Sequence, residues 1–261
     1  MKKAKKITYL FFLIILFNAG LSAAETEKET PFRIGTGLGY SFTGYREETD
    51  LPLNRTAHSF AFLIDANIEK GNLLYSFNFN FLYGKNDAIK IKTNEDYFTY
   101  YQKESDFYRV SFENALDCRL WGSPAFPGYL GGALRGDVYL IYLPETFYYC
   151  LTAVLSLNAH VTQKLLIDKK NTIVFSASIP IFGYAARPPY YGLLYSPLDL
   201  DANFVSLHNY WALFFDVKYL LKINSLISFY SNLGAELSHI NFPQPRKDAS
   251  IRLNAGISFT F

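Results

Sequence analysis

The chain has 261 residues, a formal net charge of +2, and 21 Tyr and 24 Phe residues. Four of its positive charges are Lys2, Lys3, Lys5 and Lys6; without them the net charge is −2, so the basicity gives no support for a nucleic-acid surface. Half of the residues are hydrophobic. Beyond residue 24, however, no apolar run reaches the roughly 18 residues of a transmembrane helix: Phe147 to Leu157 stops at Asn158, and Trp211 to Leu221 is broken by Asp216 and Lys218.

The first 24 residues read as a secretory signal peptide, cleaved after Ala24. Met1 to Lys6 is basic, Ile7 to Phe17 is apolar apart from Thr8, and Ser22-Ala23-Ala24 supplies small residues before Glu25. The alternative, an uncleaved anchor helix, has an apolar run too short to span a bilayer comfortably. No Cys follows Leu21-Ser22-Ala23, which excludes a lipid-modified new N-terminus. Residues 25–31 form a short charged leader, expected in the periplasm, and 32–261 form one all-β domain.

From Phe32 onward the chain alternates with period two, the pattern of strands whose two faces meet different media. In the first strand, Phe32 to Gly44, the bulky side chains of Phe32, Ile34, Leu38, Tyr40 and Phe42 share one face, while Arg33, Gly35, Gly37 and Gly39 share the other. The second, about Ala57 to Glu69, sets Phe60, Phe62 and Ile64 against Ser59, Asp65 and Asn67, and Gly71-Asn72 makes a tight turn. The third is Leu73 to Tyr83. A polar loop over Gly84 to Lys103 leads to the fourth, Asp106 to Cys118, where Asn114 falls on the apolar face. Strands five, six and seven follow over Tyr129 to Leu143, Phe147 to Val161 and Thr172 to Phe182. A long segment, Gly183 to Ser206, precedes strand eight, about Leu207 to Leu221. Strand nine is Leu226 to His239, and a Pro-rich loop over Asn241 to Asp248 returns to the last. The pattern predicts an antiparallel transmembrane β-barrel of about ten strands, with eight or twelve as alternatives. Placing both ends in the periplasm puts most long loops outside and most short turns inside, the asymmetry of bacterial barrels.

The closing segment, Ile251 to Phe261, has apolar residues at odd positions and ends on an aromatic one. With Ile257, Phe259 and Phe261 spaced by two, it resembles the closing strands of bacterial outer-membrane β-barrels. The resemblance implies delivery to the outer membrane, contact with its lipid, and reading of these three residues by the barrel-assembly machinery. It names a class and no specific family.

The inward phase collects Asp65, Arg109, Glu113, Arg135, Asp137, Asp216, Lys218, Glu236 and Arg252, joined by Arg33, Glu69 and Asp117. Both signs are present, and a barrel of about ten strands has a narrow lumen. The expectation is a charge network that fills it; an ion-selective pore would show one dominant sign. In the segment after strand seven, Tyr184, Arg187, Tyr190 and Tyr191 surround two prolines, a composition suited to touching a surface ligand, or to folding back over the barrel mouth as girdle. A rim carrying His58, His208 and His239 near Asp199 and Asp201 resembles the omptin proteases in kind, but no segment matches their motifs. No Gly-Xaa-Ser-Xaa-Gly, His-Glu-Xaa-Xaa-His or clustered Cys/His set occurs, so no metal, cofactor or catalytic residue is expected. Cys118 and Cys150 fall near opposite rims, too far apart for a disulfide. The reading is a non-enzymatic outer-membrane barrel with a surface-contact or structural envelope role, the alternatives being a narrow channel for small solutes and a rim Asp/His hydrolase.

Overall fold

A computed structural model describes residues 31–47, 53–87, 89–92, 99–102, 104–143, 148–187, 201–241 and 245–261. Residues 1–30, which hold the expected signal peptide and most of the expected leader, lie outside them. The strands are β1 (Phe32–Glu47), β2 (Leu53–Lys70), β3 (Leu73–Asn86), β4 (Ile89–Lys92), β5 (Thr99–Gln102), β6 (Ser105–Trp121), β7 (Gly128–Leu143), β8 (Tyr148–Leu166), β9 (Asn171–Arg187), β10 (Asp201–Ser206), β11 (Tyr210–Lys222), β12 (Ile227–Ile240) and β13 (Arg246–Thr260). β4 and β5 pair only with each other, so part of the expected 84–104 loop is a small hairpin. The rest form an antiparallel ring, β1-β2-β3-β6-β7-β8-β9-β11-β12-β13, closed by β13 on β1. β10 and β11 occupy one place in that ring, because β10 pairs with the far half of β9 and β11 with its near half. The barrel therefore has ten strands.

The alternation seen in the sequence sorts side chains as expected. Leu38, Tyr40, Phe60, Leu116, Ile251 and Leu253 on the outer face are each more than half exposed, whereas inward Ser41, Ser59, Asp65 and Asp117 are almost completely buried. An apolar exterior of this extent is stable against lipid and costly against water. Asn114 is the polar intruder on that face, and Tyr75 answers it, its hydroxyl donating to Asn114 Oδ1 at 2.8 Å. Tyr75→Phe should cost about 1–3 kcal/mol in urea unfolding of the refolded barrel, because it strands a carbonyl facing lipid. Asn114→Leu should be near neutral, and equal losses from both would mean that the bond contributes nothing.

The strands run beyond their predicted ends, β1 to Glu47, β8 to Leu166 and β9 to Arg187. In β9 a bulge changes the phase: Asn158 pairs with Pro180 and Leu157 with Phe182, and Ile181 and Phe182 both face out. Pro180 has no N–H to give a ladder, and bulges are where sheets accommodate proline. Residues 207–209, expected to open the eighth strand, are a turn in which Ser206 N–H donates to Asn209 Oδ1 at 2.7 Å.

The turns between β2 and β3, β8 and β9, and β11 and β12 are short, and they share one end with Phe32 and Phe261. We call this the short-turn end. Gly71, at φ +59°, supplies the left-handed residue of the first turn. Asp168 closes the second: its carboxylate accepts from the Asn171 side chain at 2.7 Å and from the backbone N–H groups of Lys170 at 2.6 Å and Asn171 at 2.7 Å. These bonds hold its pKa below the ordinary carboxylate value.

Candidate functional site in the barrel lumen

The middle of the lumen is crossed by ions. Arg109 on β6 donates to Asp137 on β7 through Nε at 3.2 Å and Nη2 at 2.7 Å, and the same Nη2 also donates to Glu236 on β12. β6 and β12 are diametrically opposed, with four strands between them either way round the ring, so this contact bridges the full width of the barrel. Arg135 on β7 donates to Asp137 Oδ2 at 2.8 Å and approaches Glu113 and Glu236, each at 3.5 Å. The Tyr139 hydroxyl donates to Glu236 at 3.1 Å, and Ser178 on β9 donates to Glu113 at 2.9 Å. Each ion is matched by opposite charge or hydrogen bonds, the condition under which buried charge is tolerated.

Toward the other end the lumen is packed with apolar and aromatic side chains. Tyr45, Ala57, Ala61, Leu82, Phe107, Tyr139 and Ile141 form one buried cluster, and Val154, Ala185, Val205, Tyr210, Ala212, Phe214 and Ile240 form another. The Arg135 guanidinium lies 3.6 Å from the Phe214 ring centroid. Arg246 on β13 lies over Tyr45 at 5.0 Å and over Tyr139, on the opposite strand β7, at 4.9 Å. The Tyr and Phe surplus is therefore not all girdle: part of it turns inward and fills the lumen beside cations, where ring faces are attractive.

Toward the short-turn end the lumen opens into a cavity of about 390 Å³, with Arg135 and His160 among its walls and Pro31, Pro124 and Thr260 near its rim. Lys218 on β11 reaches Asp65 on β2 at 3.0 Å, Arg252 reaches Asp216 at 3.3 Å, and Lys164 on β8 pairs with Glu69 on β2. His160 Nδ1 lies 2.8 Å from Asp117 Oδ2, which also accepts from Thr162 at 3.2 Å. Leu63, Leu220 and Tyr230 form a buried apolar cluster here, with Val174 packed against it.

The residues named from the sequence divide by place. Asp65, Arg109, Glu113, Arg135, Asp137, Asp216, Lys218, Glu236 and Arg252 all take part in lumen ion pairs. Tyr184 and Arg187 do not lie in a loop: both belong to β9, where Tyr184 is exposed against Phe204 and Arg187 is buried. The bulge before them carries the strand further than the pattern suggested. Tyr190, Tyr191 and Asp199 lie outside the described residues. Ile257, Phe259 and Phe261 face outward, and the backbone of Phe261 exchanges two hydrogen bonds with that of Phe32. His58 sits on the outer face against Tyr40 and Phe42, and His239 against Trp211. Among the described residues no ion pair joins His208 or His239 to a carboxylate. Cys118 is opposite Leu130 on β7 and Cys150 opposite Ile141, eleven positions along the same strand. That separates them by about 36 Å, so the register excludes a bridge.

Lys164, Arg119, Arg187 and Arg246 are lumen or cavity residues that the pattern did not deliver. Lys164 shares the parity of His160 and Thr162, and Arg246 that of Arg252, so extending the phase past the predicted strand ends finds both. Arg187 is found only once the β9 bulge is known.

A closed ten-strand antiparallel barrel with an apolar outer face and an ion-paired interior is the architecture of bacterial outer-membrane β-barrel proteins. Among solved structures, the chain is similar in fold to the outer-membrane protease OmpT from Escherichia coli, with TM-score 0.58, 9% identity, and coverage of 91% of this chain and 99% of that one. An outer-membrane channel from Pseudomonas putida F1 gives TM-score 0.40 at 10% identity, covering 92% and 98%. Neisserial surface protein A gives 0.36 at 12%, covering 89% and 100%. No family model and no curated protein matches the chain.

Proposed function

We propose that this is a closed-lumen, non-enzymatic barrel of the bacterial outer membrane, delivered there after signal-peptide cleavage near Ala24, which works at its surface or as a structural part of the envelope. The observation that carries this reading is the contact of Arg109 with Glu236 across the full width of the lumen, backed by the packed Tyr45, Phe107 and Tyr139 cluster. A lumen obstructed at successive levels favours a plug over a narrow solute channel. Its partners are then the membrane lipid, the assembly machinery during insertion, and a surface ligand at the long-loop end. The test is electrical. Purified barrel inserted into planar bilayers should give no discrete conductance steps, and reproducible single-channel openings would overturn the closed-lumen reading.

A further inference from the structure

We propose that the cavity at the short-turn end is a binding site for a small amphipathic anion: a carboxylate or phosphate borne on an apolar acyl or aryl body. The cavity, about 390 Å³ in volume, falls in the range of small-molecule sites. Leu63, Val174 and Leu220 supply apolar surface to its lining, and Arg33, Arg119, Lys164, Lys218 and Arg252 supply five cations against the two acids Glu69 and Asp216. Such a lining suits a ligand with an apolar body and an anionic head.

Charge accounting identifies where the head would go. Glu69 is occupied by Lys164 and by the Tyr129 hydroxyl, Asp216 by Arg252 and by the Asn232 amide, and Asp65 by Lys218 and by the Asn67 amide. Asp65 Oδ1 has no hydrogen-bond partner, and two guanidiniums of the cavity lining make no hydrogen bond to a carboxylate. Arg33 comes no nearer to Asp65 than 3.8 Å, outside hydrogen-bond reach, and its buried Nε has no hydrogen-bond partner. Arg119 donates to the Gly122 carbonyl at 3.3 Å and has no ion pair among the described residues. The middle layer carries four acids, Glu113, Asp117, Asp137 and Glu236, against Arg109, Arg135 and His160, so the excess of cations is local to the cavity. Arg33 on β1 also stands within electrostatic reach of both Lys164 on β8 and Lys218 on β11, so the three add their positive potential inside the cavity. An anion bound there would complete the pairing of Arg33, and the unpartnered Oδ1 of Asn232 offers an acceptor to a ligand hydroxyl.

The same chemistry has two sources, a free solute and a lipid-derived acyl anion, and two experimental arms separate them. In the first, the barrel in phosphatidylcholine nanodiscs is titrated calorimetrically with 3-phenylpropionate and with phenyl phosphate; 3-phenylpropanol and empty nanodiscs serve as comparators. Saturable one-to-one binding is expected, weaker for the neutral alcohol by about tenfold or more, given the strength of charge-assisted hydrogen bonds. The Arg33→Gln/Arg119→Gln double variant should lose affinity by a similar factor, and Val174→Phe, which fills the apolar side, should also weaken binding. In the second arm, native mass spectrometry of barrel extracted from its membrane looks for a co-purifying anionic acyl lipid that the double variant lacks. Binding in the first arm assigns a free solute, and an adduct in the second assigns a lipid-derived one. Neither signal, or signals unchanged in folded variants, overturns the proposal. Both readouts are independent of conductance, so this site and the closed-lumen reading can fail separately.

Discussion

Replacing Asp137 by Ala is expected to lower the unfolding free energy of the refolded barrel by about 3–5 kcal/mol, the range for breaking a buried ion cluster from one side. Asp137 is the acid that Arg109 and Arg135 share, and it accepts four hydrogen bonds from them, two from each. All three side chains are 10% exposed or less. Without the carboxylate, two guanidiniums face each other in a site shielded from water, with Glu236 and Glu113 left to neutralise both. The contrast is Lys85 with Glu104, 3.6 Å apart and each more than 60% exposed; Lys85→Ala should cost at most about 1 kcal/mol. Equilibrium urea unfolding of the two variants in the same lipid decides the matter. A loss for Asp137→Ala no larger than for Lys85→Ala would mean that water already reaches the layer, and the lumen would then not be sealed.

Much of the barrel was legible because lipid outside and polar groups inside impose period two on nearly every strand, so phase alone put Arg109, Asp137 and Glu236 on one face. Phase does not say where a strand stops. The predicted ends at Val161 and Phe182 follow the fading of the apolar pattern at the membrane boundary, whereas the hydrogen-bond ladder continues to Leu166 and Arg187. Lys164 was missed for that reason, and Arg187, read as a loop residue, needed the bulge as well. Nor does phase give height or azimuth: that Arg109 meets Glu236, 127 positions away, depends on ring order and stagger. The aromatic count was ambiguous in kind, since Phe and Tyr serve a girdle and a packed lumen equally well. The phase of β1, carried past its predicted end at Gly44, separates outward Tyr40 from inward Tyr45. The bulge at Pro180 was readable in principle, because a proline inside a strand pattern signals an interrupted ladder. Its size was not.

The seam between β1 and β13 closes the barrel, and its glycines are expected to differ sharply in tolerance. Gly256 lies opposite Gly37, and a Cβ at Gly256 would fall 2.1 Å from the Thr36 carbonyl oxygen and 2.6 Å from Gly37 Cα. Both are backbone atoms of the facing strand, so no side-chain rotation relieves the overlap; β13 must move away from β1 or twist. Gly44, paired with Ala249 on the same seam, is different: a Cβ there meets nothing nearer than the Ala249 carbonyl oxygen at 3.9 Å. Gly256→Ala should therefore destabilise by about 1–3 kcal/mol, the usual cost of overpacking. Gly44→Ala should be neutral or stabilise by up to about 1 kcal/mol, because alanine loses less backbone entropy in a strand. The two variants make the same chemical change in the same pair of strands, so a difference between them reports the local approach of the backbones and not strand propensity. Urea unfolding gives the energies, and amide exchange at β1 and β13 gives the location: Gly256→Ala should raise exchange at the seam before the rest of the ring. Equal effects of the two substitutions, or exchange that rises uniformly around the barrel, would mean that the seam is no tighter at Gly256 than at Gly44.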